Sequence, residues 1–188
     1  MTERLHTHLI SGGHRGTESE FGRCAARWGI PHTTLSFEGH ALEYDSNVEV
    51  LDERDLEQGT VSMSIVFERL GRRFHRGHGV RRVIQSMFHL VVRGQHLLAV
   101  GWIQPDQTVK GGTGWGVELA RLFNREVHAF DQERERWFRW DGSAWVEEEP
   151  VIGDQAFSAT GTRNLTEGGR RAIHDLFRRS FGEPVQGA

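Results

Sequence analysis

The stretch LISGGHRGT, residues 9–17, decides the fold, because an apolar segment turns there through glycines towards a helix. Residues 5–10 alternate apolar and polar side chains, which predicts a first strand. Residues 18–28 carry apolar side chains at helical spacing, and Gly29 and Pro31 follow as stop signals. A strand that passes through a glycine turn into a helix indicates the first half of a βαβ unit.

The alternation of strands and helices continues along the chain. Further strand-like apolar segments lie at residues 33–37, 96–102, 126–130 and 156–159. Helix-like segments lie at residues 51–56, 62–70, 76–92, 117–123 and 166–181. Such alternation favours a mostly parallel sheet that is covered by helices on both faces. The sequence therefore predicts an α/β, Rossmann-like three-layer sandwich, formed as a single domain by residues 1–188.

Residues 131–150 predict a β-hairpin that decorates this sheet. Asp141-Gly142 lies between two aromatic stretches, which is typical of a two-residue hairpin turn. Packing at the sheet edge or at a dimer interface is one role for the hairpin aromatics, and stacking on a nucleic-acid base is the other. These aromatics are Trp137, Phe138, Trp140 and Trp145.

Composition and charge argue against several classes of protein. No apolar run approaches the ~20 residues that a membrane helix needs, so we expect no membrane partner. Residues 1–6 lack the apolar core of a secretory signal, and the single cysteine, Cys24, has no partner for an internal disulfide. Both features predict a cytoplasmic location. The net charge of −3 disfavours nucleic acid as the main partner.

Glycine-rich turns carry the strongest functional signal. Residues 11–17 open a helix, whose N–H groups suit a phosphate, with Thr17 as the predicted N-cap. Residues 110–116, KGGTGWG, are typical of a backbone that a ligand approaches closely. In a parallel sheet these turns share the carboxyl edge with a third turn at 161–163. The predicted phosphate-binding residues are Ser11, Gly12, Gly13, Arg15, Thr17, Lys110, Gly111, Gly112, Thr113, Gly114, Gly161, Thr162 and Arg163.

These motifs resemble those of a known group, the Rossmann-like SLOG superfamily. Residues 11–17 resemble the SGGxTGxD opening of its molybdenum-cofactor carrier branch. The second turn is similar to the Gly-Gly-x-Gly-Thr-x-x-Glu signature of the LOG (lysine-decarboxylase-like) phosphoribohydrolases, with Trp115 in place of threonine. The matching residues are Gly111, Gly112, Gly114 and Glu118. The resemblance covers the first strand and helix, residues 96–130 and the last strand and helix.

The resemblance implies two functions and leaves both open. One is binding of a nucleotide or nucleotide-derived small molecule through the glycine turns. The other is hydrolysis of the N-glycosidic bond of nucleoside monophosphates, with Glu118 as the catalytic carboxylate. Glu118 has a structural alternative, because a carboxylate in the first turn of a helix is favoured by the helix dipole. The resemblance also implies a homo-oligomer. The cofactor, if the protein uses one, is left unknown.

The basic segment Arg69–Arg82, RLGRRFHRGHGVRR, adds a third hypothesis, a nucleic-acid-associated protein. The structural alternative is that this segment is the solvent-exposed start of a helix, whose positive charge is balanced by the acidic segment 38–58. His75 and His78 have a spacing compatible with metal binding, but no carboxylate or cysteine nearby completes a set, so we predict no metal there. The candidate nucleic-acid-contacting residues are Arg72, Arg73, Arg81 and Arg82.

Overall fold

Eight strands in one mostly parallel sheet are found in the computed structural model, which describes residues 6–71 and 78–185. The strands are β1 (His8–Ser11), β2 (His32–Phe37), β3 (Val48–Leu51), β4 (His96–Gly101), β5 (Glu126–Asp131), β6 (Arg136–Trp140), β7 (Trp145–Glu147) and β8 (Ala156–Gly161). The helices are α1 (Thr17–Arg27), α2 (Glu53–Gln58), α3 (Thr60–Leu70), α4 (His78–Arg93), α5 (Thr113–Leu122) and α6 (Glu167–Phe181). This arrangement confirms the predicted α/β, Rossmann-like sandwich.

The strand order is β3-β2-β1-β8-β4-β5-β6-β7. The pairings from β3 through β5 are parallel, whereas β6 and β7 pair antiparallel. After β1 the chain builds outwards through β2 and β3, and it then crosses to β4 on the other side of β8. Open α/β sheets bind ligands where the direction of strand addition reverses, at the carboxyl ends of the strands. The topology therefore points to the carboxyl ends of β1, β8 and β4.

Two apolar cores lie on the two faces of the sheet. Neighbouring residues of a strand point to opposite faces, so Leu9 joins the core under α1 and α6 while Ile10 joins the core under α2–α5. Both side chains are at most 4% exposed. The near-continuous apolar run of β4 is buried from His96 to Gly101, as expected for a strand covered on both faces.

The structure corrects the sequence-based prediction in three places. β3 was not predicted, because its alternation of apolar and polar residues is only four residues long, and Val48, Glu49 and Val50 are exposed at the edge of the sheet. α5 begins at Thr113 rather than at 117, so the end of the second glycine turn is already helical. The N-cap of α1 is Gly16 and not Thr17, whose hydroxyl instead donates to the carbonyl of Thr162 across 3.0 Å.

The hairpin of β6 and β7 is confirmed, and its aromatic side chains pack within the fold. Trp137 and Phe138 are buried on opposite faces of the strand. Trp140 and Trp145 meet edge to face with ring centroids 5.4 Å apart. The guanidinium of Arg121 lies 3.6 Å from the centroid of Trp140. These aromatic side chains therefore pack within the chain, with Trp137 and Phe138 buried and Trp140 and Trp145 partly buried.

Candidate functional site

A cleft of about 1010 Å³ lies at the carboxyl edge of the sheet. The turns after β4 and β8 form its polar side, with residues 110–113 and 160–164. The turn after β1 contributes His14 and Glu18, and one face of α4 forms the apolar side. The structure thus brings the three predicted turns to one edge.

The second turn leaves open space beside its glycines. A Cβ atom built on Gly111 or Gly112 would meet no heavy atom within 4 Å. Gly111 has a φ of +70°, which glycine adopts without strain, and Gly112 is the N-cap of α5 without a side-chain hydrogen bond. The N–H groups of Gly114 and Trp115 already donate to the carbonyl oxygens of Gly111 and Gly112, at 3.2 and 3.1 Å. An anion at this turn would therefore bind the N–H groups of Gly112 and Thr113, at the start of the helix.

Two cations flank this open backbone, Lys110 from the second turn and Arg163 from the third. Both side chains are exposed and line the cleft. No carboxylate of the described residues lies within salt-bridge distance of either cation, whereas Arg23, Arg93 and other arginines do form ion pairs. The ammonium of Lys110 lies 5.8 Å from the centroid of Trp102. Both cations are therefore available to a negatively charged ligand.

The first turn is closed by the protein's own atoms. A Cβ on Gly12 would lie 2.6 Å from Oε2 of Glu18, and one on Gly13 would lie 2.5 Å from the carbonyl oxygen of Tyr44. A Cβ on Gly16, which has a φ of +90°, would lie 2.6 Å from the carbonyl oxygen of Thr162. These glycines permit close packing of protein on protein. The predicted site residues that do not line the cleft are Ser11, Gly12, Gly13, Arg15, Thr17 and Gly114.

The position expected for a phosphate at the first turn holds the carboxyl group of Glu18. It accepts hydrogen bonds from the backbone N–H of His14 at 3.2 Å and from Oγ1 of Thr160 at 2.9 Å. Glu18 is 5% exposed, and burial raises the pKa of its carboxyl group to about 7. The sequence does not single out Glu18 as a site residue, because acidic residues are common at the start of helices, where the helix dipole favours them.

His14 brings a neutral imidazole to the cleft. Its Nε2 lies 2.9 Å from Nε2 of His40, and the ring of His40 stacks on Phe37 with centroids 4.4 Å apart. Burial is the main cause that lowers the pKa of both imidazoles to about 4, and the nearby charge of Arg163 contributes to this shift. At neutral pH this pair offers hydrogen bonds without positive charge.

The cleft also has an apolar lining. It consists of four α4 side chains, of which Val80 is 47% exposed, and of two indoles close to the second glycine turn. Exposed apolar surface in a cleft that also holds cations suits a ligand with an apolar ring and an anionic group. These residues are Val80, Val83, Ile84, Met87, Trp102 and Trp115.

Glu118 lies outside the cleft. Since α5 begins at Thr113, Glu118 falls in the second helical turn rather than the first. Its carboxylate is 13% exposed and binds Arg69 at 3.1 Å and Arg121 at 3.2 Å. Arg121 in turn stacks on the hairpin aromatics, so Glu118 connects α3, α5 and the hairpin. This geometry matches a structural role and does not bring Glu118 to the glycine turns.

The basic segment is only partly described. Arg82 donates to the carbonyl of Glu38 at 2.9 Å and forms an ion pair with Glu53, so this one arginine of the segment is paired with the acidic segment. Arg81 is exposed. Arg72, Arg73, His75 and the side chain of His78 lie outside the described residues, so the nucleic-acid and metal predictions that involve them stay predictions. No described helix is long and apolar enough to cross a membrane.

Fold and topology define the chain as an α/β, Rossmann-like protein. No model of a known protein family matches it, and no curated protein sequence matches it significantly. Among solved structures, its fold is similar to that of a "Putative molybdenum carrier protein" from Syntrophus aciditrophicus SB. The TM-score is 0.53 at 14% sequence identity, over 92% of this chain and 93% of that chain. This likeness supports the fold assignment.

Proposed function

We propose that this cleft binds a nucleotide or nucleotide-derived small molecule, with a phosphate group against the second glycine turn. The observation that carries the proposal is the open backbone at Gly111 and Gly112, beside two cations that lack a carboxylate partner among the described residues. A helix N-terminus and adjacent cations together form a general phosphate site. The ring of the ligand would lie against the apolar face of α4.

Two likenesses support binding without turnover. The first turn resembles the carrier branch of the SLOG superfamily, and the structural neighbour bears the name of a molybdenum carrier. The hydrolase alternative needs a carboxylate at the ribose, and Glu118 is engaged by two arginines away from the cleft. Among the described residues, Glu18 is the one carboxylate that lines the cleft. The cytoplasmic location remains a prediction from the composition, and the homo-oligomer remains a prediction from the resemblance.

Native mass spectrometry of the purified protein, followed by calorimetry with a panel of nucleoside monophosphates, tests this proposal. We expect one nucleotide-like ligand per chain, and no release of free base during incubation. Lys110→Gln and Arg163→Gln should each lower its affinity about tenfold or more, since charge-assisted hydrogen bonds contribute roughly 1.5–3 kcal/mol. Arg54→Gln is the matched control, because Arg54 is exposed on α2 away from the cleft.

Three results would contradict the proposal. The first is a panel in which no nucleotide binds in the millimolar range. The second is equal affinity in the wild type and both cleft variants, which would place the ligand elsewhere. The third is release of free base at a rate that the cleft substitutions reduce, which would establish the hydrolase.

A further inference from the structure

A second cluster of functional side chains lies at the opposite edge of the sheet. His96 and Glu126 are the first residues of β4 and β5, and they are partners in the parallel register. His128 lies two residues further along β5 and therefore points to the same face. Nε2 of His96 and Nδ1 of His128 are 2.8 Å apart, and Oε1 of Glu126 is 3.8 Å from the latter nitrogen.

We propose that His96, Glu126 and His128 bind one divalent transition-metal ion, for which Zn²⁺ is the best candidate. Two imidazole nitrogens and one carboxylate oxygen form a ligand set that Zn²⁺ prefers, with solvent in the fourth position. The three ligand atoms all lie within 4.8 Å of one another. Tetrahedral coordination needs nitrogens roughly 3.3 Å apart, so the imidazoles have to separate by about half an ångström.

The hydrogen bonding around His128 favours the protonation state that a metal requires. Its Nε2 lies 3.2 Å from Oε1 of Glu148, and a carboxylate can only accept, so Nε2 carries the proton. Nδ1 of the neutral ring then presents a lone pair towards His96 and Glu126. Arg139 holds the other carboxylate oxygen of Glu148 at 2.9 Å. A carboxylate that orients a ligating histidine in this way is a common feature of protein zinc sites.

His96 is 1% exposed, so its imidazole is sheltered from solvent. Because Nδ1 of His128 accepts, Nε2 of His96 donates the 2.8 Å hydrogen bond between them. Metal binding therefore has to move this proton to Nδ1 of His96, which is buried and has no hydrogen-bond partner among the residues that the structure describes. The carboxylates of Glu126 and Glu148 outweigh the charge of Arg139, and this local negative charge favours a cation.

The other cluster of this kind is a weaker candidate. Glu20, Cys24 and His174 also lie close enough to share an ion. The carboxylate of Glu20, however, already pairs with Arg170 and His174, and burial raises the pKa of the Cys24 thiol to about 12. A metal there would have to displace a guanidinium and deprotonate a buried thiol. His174 therefore supplies a matched control.

Zinc titration of chelator-treated protein, with a chromophoric chelator as competitor, tests the proposal. We expect one Zn²⁺ per chain and a rise in Tm, because an ion that binds only the folded state stabilises it. Glu126→Gln and His128→Asn should each weaken binding at least tenfold, and Glu148→Gln should weaken it by about tenfold or more. His174→Asn should leave the affinity unchanged.

Tetrahedral Co²⁺ spectra give an independent readout that does not depend on stability. Glu126 and Glu148 are nearly half exposed, so their glutamine variants keep the test valid if His128→Asn fails to fold. The proposal is overturned if Glu126→Gln and Glu148→Gln bind Zn²⁺ as tightly as the wild type. It is also overturned if His174→Asn abolishes binding. Because this site lies away from the cleft, neither result bears on the nucleotide proposal.

Discussion

Oγ1 of Thr160 in β8 donates a hydrogen bond across 2.9 Å to Oε1 of Glu18 in α1. Both side chains are at most 5% exposed, and both line the cleft. The contact joins the end of β8 to the start of α1, and it places a buried carboxyl group where the sequence predicts a phosphate.

Glu18→Gln should remove a pH dependence of stability. Burial raises the pKa of the Glu18 carboxyl group from 4.5 to about 7 in the folded protein. Between those values the folded state binds the extra proton, so the free energy of unfolding falls as pH rises towards 7. We expect the variant to gain up to about 3 kcal/mol relative to wild type between pH 4.5 and 8. Urea unfolding at several pH values measures this difference, and parallel curves for the two proteins would contradict it.

Gly12→Val and Gly112→Val should affect different properties. Gly112 has a helical φ of −60° and open space, so valine there should preserve Tm while it weakens nucleotide binding at least tenfold. At Gly12 the added Cβ meets the carboxylate of Glu18, so we expect a loss of roughly 1–3 kcal/mol in stability. Calorimetry and thermal unfolding of both variants check this pair. Unchanged nucleotide affinity in a folded Gly112→Val protein would contradict the proposal that the phosphate binds at the second turn.

Glu118→Gln should lower stability and leave nucleotide affinity unchanged. The substitution removes the negative charge that pairs with Arg69 and with the mostly buried Arg121. Hydrogen bonds to charged groups contribute roughly 1.5–3 kcal/mol to stability, which sets the upper range of the expected loss. Denaturant unfolding and a binding titration on the same sample measure both effects. A drop in nucleotide affinity at unchanged stability would contradict this prediction and would indicate that Glu118 contacts the ligand.

Cys24 should not react with thiol reagents in the folded protein. It is 1% exposed, and burial raises the pKa of its thiol to about 12, so almost no thiolate is present at neutral pH. We expect one equivalent of thiol to appear only on unfolding in denaturant. Rapid labelling of the native protein would show that α1 opens locally.

The sequence predicted the elements that have strong periodicity. β4 is a continuous apolar run, α4 carries apolar residues on one face, and Asp141-Gly142 marks the hairpin, so these three were recognised. The exposed edge strand β3 carries no such signal, because its pairing with β2 depends on backbone hydrogen bonds rather than on burial.

By itself the sequence determined the fold class and the edge of the sheet where the glycine turns meet, because local periodicity and turn chemistry are encoded by neighbouring residues. Only the tertiary structure decided which turn is open. The carboxyl group of Glu18, which also binds Thr160, fills the space beside Gly12. The space beside Gly112 is open. The pairing of His96 with His128, 32 residues apart, likewise depends on strand register. Such contacts join residues that are distant in the chain, and no local pattern records them.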